Sequence, residues 1–98
     1  MNHKLKQDDI HQLFRASLTL RDLDECYRFF EDICTIKELT AIAQRFEVAK
    51  MLREENTYID IAKKTGASTA TISRVNRSLN YGNESYDMLF ERMNKEES

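Results

Sequence analysis

One segment of the sequence, residues 57–79, carries side chains suited to contact with another molecule. Its second half holds hydroxyl groups, a small methyl group and guanidinium groups at Ser68, Thr69, Ala70, Thr71, Ser73, Arg74 and Arg77. Hydroxyl and guanidinium groups can hydrogen-bond to phosphates and base edges, and methyl groups can touch the methyl group of thymine. These residue types at this spacing predict contact with double-stranded DNA.

The same segment is locally basic, although the chain as a whole is weakly acidic. The 98 residues contain 15 Lys and Arg against 17 Asp and Glu, which gives a net charge of −2. No acidic residue occurs from position 61 to position 83, whereas solvated helix faces usually mix both signs. This distribution favours a nucleic-acid surface. Lys63 and Lys64 are expected to contact phosphates, although cations at a helix C-terminus also compensate the helix dipole.

Small and apolar residues indicate how this segment would fold. Two helices that cross at short range need a small residue where they touch and a residue with a left-handed backbone in the turn. Ala62 and Gly66 meet these two needs. Six and nine positions after the glycine, Ile72 and Val75 would point back onto the first helix, with Ile61 between the helices. Together they predict a helix-turn-helix over about residues 57–79, whereas a lone glycine would mark an ordinary corner.

The rest of the chain supplies the helices that must hold this segment. With no proline, two glycines and no alternating strand pattern, the sequence predicts an all-α fold. Apolar residues at helical spacing and capping residues predict six helices, over about residues 6–19, 22–34, 35–54, 58–64, 69–79 and 83–94. A chain of this length closes one core, so we expect a single domain over residues 1–98.

Other classes of function find little support in the sequence. The glycine-rich loops of nucleotide-binding enzymes are missing, so we predict no catalytic residues, no enzyme activity and no cofactor. Cys26 and Cys34 lie about 12 Å apart along a helix, too far for a disulfide, and with the two histidines they form no metal site. No apolar run is long enough for a membrane span or a signal peptide, so we expect a cytoplasmic protein without membrane contact.

The apolar stripes of the early helices and the last helix are wider than one side of a helix. Phe29 beside Phe30, and Met88 beside Leu89 and Phe90, extend these stripes. A widened stripe needs a second surface to cover it. We therefore predict a homodimer whose interface is formed by residues 6–54 and 83–94. The alternative is a monomer with unusually wrapped helices.

The stretch TAIAQRFEVAKMLREENTYIDIAKKTGASTATISRVNRSL, residues 40–79, resembles the YerC/YecD branch of the Trp repressor family, and the likeness covers essentially the whole chain. The resemblance implies an intertwined homodimer in which the early helices and the last helix form a shared core. It also implies a dimeric transcriptional repressor. Each subunit would place the helix that begins near Ser68 in a major groove, and two-fold symmetry would select a palindromic operator with half-sites about one helical turn apart.

The same resemblance implies a site for a small-molecule effector. Arg74 and Ser78 match an arginine and a serine of the recognition helix that meet the ligand in Trp repressors, and Arg45 is the nearest match to a second ligand-binding arginine. Val75 stands where Trp repressors have a glycine against which the indole packs. A valine side chain would intrude on a flat ring, so the sequence disfavours tryptophan. Another small effector, or none, remains an alternative.

Residues 68–75 are also similar to the helix-turn-helix of LacI-type repressors, through the motif SxATISRV. In that family the corresponding arginine contacts bases, which would make Arg74 a base-contacting residue that needs no corepressor. LacI-type helix-turn-helices stand at the N-terminus of much longer proteins, whereas about fifty-six residues precede this one. A helical module for protein–protein contact is the remaining alternative, because helix-turn-helix folds also serve that purpose.

Overall fold

The computed structural model describes residues 7–97, and within this range it contains six helices and no strand. The helices are α1 (Gln7–Ser17), α2 (Leu23–Ile33), α3 (Ile36–Arg53), α4 (Tyr58–Thr65), α5 (Thr69–Tyr81) and α6 (Ser85–Glu97). The predicted all-α chain of six helices is therefore confirmed. The predicted start at residue 6 lies outside the described residues. The last helix ends three residues later than residue 94, because nothing after Asn94 breaks a helix.

The chain divides into two compact units, one ending at Ile36 and the other beginning at Lys37. The prediction of a single domain over residues 1–98 stays a prediction, and each unit is described on its own. In the first unit, Asp22 caps α2 by accepting a hydrogen bond from the backbone N–H of Glu25 at 2.9 Å. The Glu25 carboxylate in turn accepts from the backbone N–H of Arg21 at 2.9 Å. These two hydrogen bonds fix where α2 begins, in the manner of a capping box whose second bond comes from the residue before the cap.

Neither α1 nor α2 contains a buried side chain. Large apolar side chains on and beside these helices lie open: Leu18, one residue after α1, is 85% exposed, and Leu23 is 72% exposed. Phe14, Tyr27 and Ile33 are exposed as well. Each helix thus has an apolar stripe that nothing within this unit covers. Cys26 and Cys34 are half-buried free thiols.

The core of the second unit is built from α3, α4, α5 and α6. Its buried side chains are all apolar: Val48, Ala49, Met51, Ile61, Ala67, Ile72, Val75 and Phe90. Ile61 and Ile72 are completely buried, and the half-buried Ala62 packs against the same cluster. The positions expected to join the two helices of the helix-turn-helix therefore lie together in one core.

Aromatic contacts attach α6 to α3. The rings of Phe46 on α3 and Phe90 on α6 have centroids 4.9 Å apart, and Tyr86 lies within 6.3 Å of both. The Arg53 guanidinium lies 5.6 Å from the centre of the Phe90 ring, and its Nε is 3.3 Å from a carboxylate oxygen of Asp87. Because this ion pair is partly exposed, the ring contacts hold α6 more strongly than the charges do.

The turn between α4 and α5 is fixed by one backbone hydrogen bond and by two bonds of the Thr65 hydroxyl. Gly66 ends α4 in the left-handed conformation, with φ 74° and ψ 6°, and its N–H donates to the Ala62 carbonyl at 2.9 Å. The Thr65 hydroxyl donates to the Ile61 carbonyl at 2.7 Å and accepts from the N–H of Ala67 at 3.1 Å. Helix α5 then begins at a cap formed by Ser68. The turn is thus tied to the helices on both sides.

Gly66→Val is expected to destabilise the second unit by about 1–3 kcal/mol, because a β-branched residue is strained at positive φ. A Cβ atom at Gly66 would meet no heavy atom within 4 Å, so the cost comes from the backbone and not from a clash. Urea unfolding measures the difference. Gly66→Asn is the matched control, since asparagine tolerates the left-handed region and should cost much less. Equal stability of the valine variant and the wild type would contradict this explanation of the turn.

Candidate nucleic-acid interface

The residues expected to contact DNA from α5 share one side of that helix. At 3.6 residues per turn, positions 69, 70, 73, 74 and 77 fall within an arc of about 140°. All five side chains are exposed, whereas Ile72 and Val75 on the opposite side are buried in the core. The buried side therefore determines which side chains α5 presents outward: hydroxyl groups, one methyl group and two guanidinium groups.

Ser68 and Thr71 have a structural role at the start of α5. The Ser68 hydroxyl accepts from the backbone N–H of Thr71 at 3.1 Å, and it lies 3.1 Å from the Thr71 hydroxyl. Thr71 is half-buried, in contrast to the exposed Thr69 and Ala70 beside it. Any contact that Ser68 or Thr71 makes with DNA must therefore be compatible with this cap.

The cations of the helix-turn-helix have no acidic partner in the part of the chain that is described. Lys63 and Lys64 lie exposed in the last turn of α4, and α5 has no acidic residue in its first turn. Two ion pairs on the described residues join Arg28 to Asp24 in α2 and Arg53 to Asp87 between α3 and α6, and none of these four residues belongs to α4 or α5. The positive charge of α4 and α5 is thus available to an anionic partner such as a phosphate.

The dimensions of α5 suit a DNA groove. Its 13 residues span about 20 Å, and the major groove is about 12 Å wide, enough to admit one helix. Thr69 and Ala70 lie in the first turn, the end that contacts bases in helix-turn-helix proteins. These small side chains would let the helix backbone approach closely.

The three residues expected to bind an effector, Arg45, Arg74 and Ser78, are exposed. Among the described residues, no hydrogen bond or ion pair joins their side chains to one another. Val75 is 3% exposed and belongs to the apolar core. A groove of about 450 Å³ lies along α3 and the end of α4, and none of these four residues lines it.

One side chain that contacts the helix-turn-helix was not predicted from the sequence. Gln44 on α3 donates a hydrogen bond from Nε2 to the backbone carbonyl of Thr65, the last residue of α4, at 3.1 Å. The signal was present in the spacing, because Gln44 stands four and seven positions before the buried Val48 and Met51. An amide in an apolar stripe indicates a directed contact, but the sequence does not name its partner.

A metal-ligand cluster and a membrane-spanning helix are both absent from the described residues. Within residues 7–97, no three His, Cys, Asp or Glu side chains come together as a metal ion would require. No helix in the described range has both the length and the apolar character needed to cross a membrane.

Known proteins match this chain over nearly all of its length. The model of the Trp repressor protein family matches residues 8–94. The uncharacterised protein YerC of Bacillus subtilis (strain 168) is 58% identical over 95 residues, covering 97% of this chain and 91% of YerC. The structure of a TrpR-like protein from Eubacterium eligens ATCC 27750 has a TM-score of 0.90 and 69% identity, covering 95% of this chain and 96% of that one. The structure of a candidate Trp repressor from Staphylococcus aureus has a TM-score of 0.88 and 50% identity, covering 93% of this chain and 91% of that one.

These matches confirm the resemblance read from residues 40–79 and the Trp repressor-like fold. They also agree with the geometry of α4 and α5, and they point to a helix-turn-helix DNA-binding regulator and away from an enzyme. On the extent of the family match and the identity to these relatives, the chain belongs to the Trp repressor family.

Proposed function

We propose that the protein is a homodimeric, sequence-specific transcriptional repressor that acts by occupying a palindromic operator through two helix-turn-helices. The observation that carries the proposal is the exposed side of α5, where small, hydroxyl-bearing and cationic side chains lie without an acidic neighbour. Such a surface offers hydrogen bonds to bases and phosphates and repels neither. A regulator of chromosomal DNA would act in the cytoplasm.

The residues proposed to contact DNA form two groups, one that sets the base preference and one that sets the affinity. Thr69, Ala70 and Ser73 lie on the exposed side of α5 and are short enough to meet base edges in the major groove. Lys63, Lys64 and Arg77 are long cations suited to the phosphate backbone. Ser68 and Thr71 hold the start of α5 and bind phosphate or base from there. Arg74 has two roles open to it, base contact or effector contact.

The dimer is supported by the uncovered apolar side chains of the first unit. Leu18 and Leu23 are mostly exposed, and so are Phe14 on α1 and Tyr27 and Ile33 on α2. A water-soluble monomer rarely leaves so many large apolar side chains open. A second copy of the chain covers them by two-fold symmetry, and it supplies the second helix-turn-helix that a palindromic operator requires.

Selection of bound fragments from random DNA, followed by a salt titration, tests the proposal. We expect the full-length protein to enrich a palindrome and to lose affinity steeply as salt rises, because cations on each subunit release counterions from phosphates. The selection is run with and without a panel of amino acids, since Arg45, Arg74 and Ser78 are the positions that an effector would contact. Failure to enrich any sequence, with binding insensitive to salt, would instead indicate a protein-interaction module.

Lys63→Gln should weaken binding to all DNA sequences alike. Each phosphate contact contributes about 0.9 to the slope of log K against log salt, so losing one contact per half-site should make the slope shallower by about 2. Lys37→Gln removes an exposed cation of α3, outside the helix-turn-helix, and is the matched control. A Lys63 variant with the slope of the wild type would remove this residue from the interface.

A further inference from the structure

Gln44 occupies a place in α3 that the packing would otherwise give to an apolar side chain. Positions 44, 48 and 51 are spaced four and three residues apart, so they lie along one side of the helix. Val48 and Met51 are buried in the core of the second unit, and the half-buried Gln44 continues their stripe by one turn toward the helix N-terminus. An amide at this point has a function that packing alone does not explain.

The amide meets the helix-turn-helix at its turn. Gln44 Nε2 donates to the carbonyl of Thr65, which is one of the last carbonyls of α4 and lacks a partner within that helix. The next residue is Gly66, whose left-handed backbone redirects the chain into α5. The same Thr65 bonds through its hydroxyl to the Ile61 carbonyl and the Ala67 N–H. The hydrogen bond from α3 is therefore made to a residue of the turn that two further hydrogen bonds hold in place.

Two kinds of contact hold the helix-turn-helix on α3, and they constrain different motions. The apolar contacts around Val48, Ile61 and Ile72 hold the helices together but have no preferred direction. The Gln44 bond is directional and acts about 6 Å farther along α3 than Val48. A second, directed attachment at a distance from the first opposes rotation of α4 and α5 about the core contact.

We infer that Gln44 is a positioning residue whose hydrogen bond to Thr65 sets the orientation of the helix-turn-helix on α3 and thereby its selectivity among DNA sequences. The consequence for selectivity rests on the proposed function, whereas the consequence for orientation does not. Base contacts depend on the angle at which α5 enters the groove, and phosphate contacts by flexible lysines depend on it much less. Loss of the bond should therefore reduce discrimination more than it reduces general affinity.

Two variants of the full-length protein test the inference. Gln44→Met keeps the length of the side chain and removes the donor, whereas Gln44→His restores an N–H at about the same reach. Residual dipolar couplings of the DNA-free protein give the orientation of α4 and α5 relative to α3. We expect the methionine variant to change these couplings with its melting temperature within a few degrees of the wild type, because water in the adjoining groove can bond to the freed carbonyl. The histidine variant should return them to wild-type values.

DNA binding provides the second measurement. The ratio of affinities for the selected palindrome and a scrambled duplex should fall about tenfold in Gln44→Met, with an unchanged salt slope, and recover in Gln44→His. Unchanged couplings in the methionine variant overturn the inference whatever the protein binds. Changed couplings with an unchanged affinity ratio overturn the link to selectivity alone. If the wild type prefers no sequence, the proposed function fails, and the couplings still decide the role of Gln44 in orientation.

Discussion

Ala70→Glu is expected to lower the affinity for the selected DNA at least about a hundredfold, the largest loss from any single change on α5. Ala70 is exposed in the first turn of α5, on the side opposite the buried Ile72 and Val75. A carboxylate there would face base edges and phosphates, and an ion pair with Arg74, four residues later, would draw that guanidinium away from the DNA; like charges brought together at an interface cost several kcal/mol. The proposed dimer would carry two such carboxylates, one for each half-site.

The same substitution should leave the fold intact or slightly strengthen it, because an acidic residue in the first turn of a helix interacts favourably with the helix dipole. A melting curve and a gel-shift titration on one preparation therefore separate loss of binding from loss of structure. Ala70→Gln has nearly the same size without the charge, and it should lose much less affinity. Retained binding in Ala70→Glu would refute the docking of α5 in the major groove.

Local signals in the sequence were sufficient to place the helices and the turn. Thr57 and Ser68 cap α4 and α5 through their own side chains, and Gly66 adopts the left-handed backbone that ends α4. The spacing of Ile72 and Val75 from Gly66 follows the helical period. The buried side of α5 could therefore be predicted from the sequence. Contacts that depend on a few neighbouring residues were therefore predictable.

Contacts between residues distant in sequence were not predictable in the same way. The bond from Gln44 to Thr65 joins positions 21 residues apart, and its partner is a backbone carbonyl that carries no residue-type signal. Gly82 was not explained by the sequence for a different reason: its contact is with Ser78, only four residues away, but it depends on backbone angles that the residue types do not specify. In the structure a Cβ at Gly82 would collide with the Ser78 carbonyl, so this glycine is required by close approach of the backbone and not by positive φ.

The amphipathic stripes predicted the helices of the first unit and their apolar sides, but not what covers those sides. The period of α1 and α2 predicts an apolar side for each helix, and the exposed Phe14, Leu23 and Tyr27 form it. The free energy gained by covering these side chains depends on the surface that packs against them. The apolar pattern of one chain does not specify that surface. A sequence therefore indicates that an apolar side needs a covering surface before it indicates which surface covers it.

Leu23→Glu is expected to weaken the homodimer by a factor of roughly 10² to 10⁴. Leu23 is 72% exposed in the single chain and lies on the apolar side of α2. Each leucine covered by the partner contributes about 1.5–3 kcal/mol, and a symmetric dimer loses two of them. Glu at the first position of α2 is favourable for the helix itself, so the loss belongs to the interface and not to α2. Sedimentation equilibrium gives the dimerisation constant.

Arg28→Glu also adds a glutamate to α2, but at a site where the side chain is 75% exposed and already polar, so it should leave the dimer unchanged. DNA binding should follow the dimer, because one helix-turn-helix contacts a single half-site with few phosphates. Leu23→Glu should therefore lose operator binding at concentrations where the Arg28 variant keeps it, and raising the protein concentration should recover part of it by mass action. A monomeric wild type that still binds the palindrome tightly would contradict the symmetric arrangement while leaving the contacts of α5 in place.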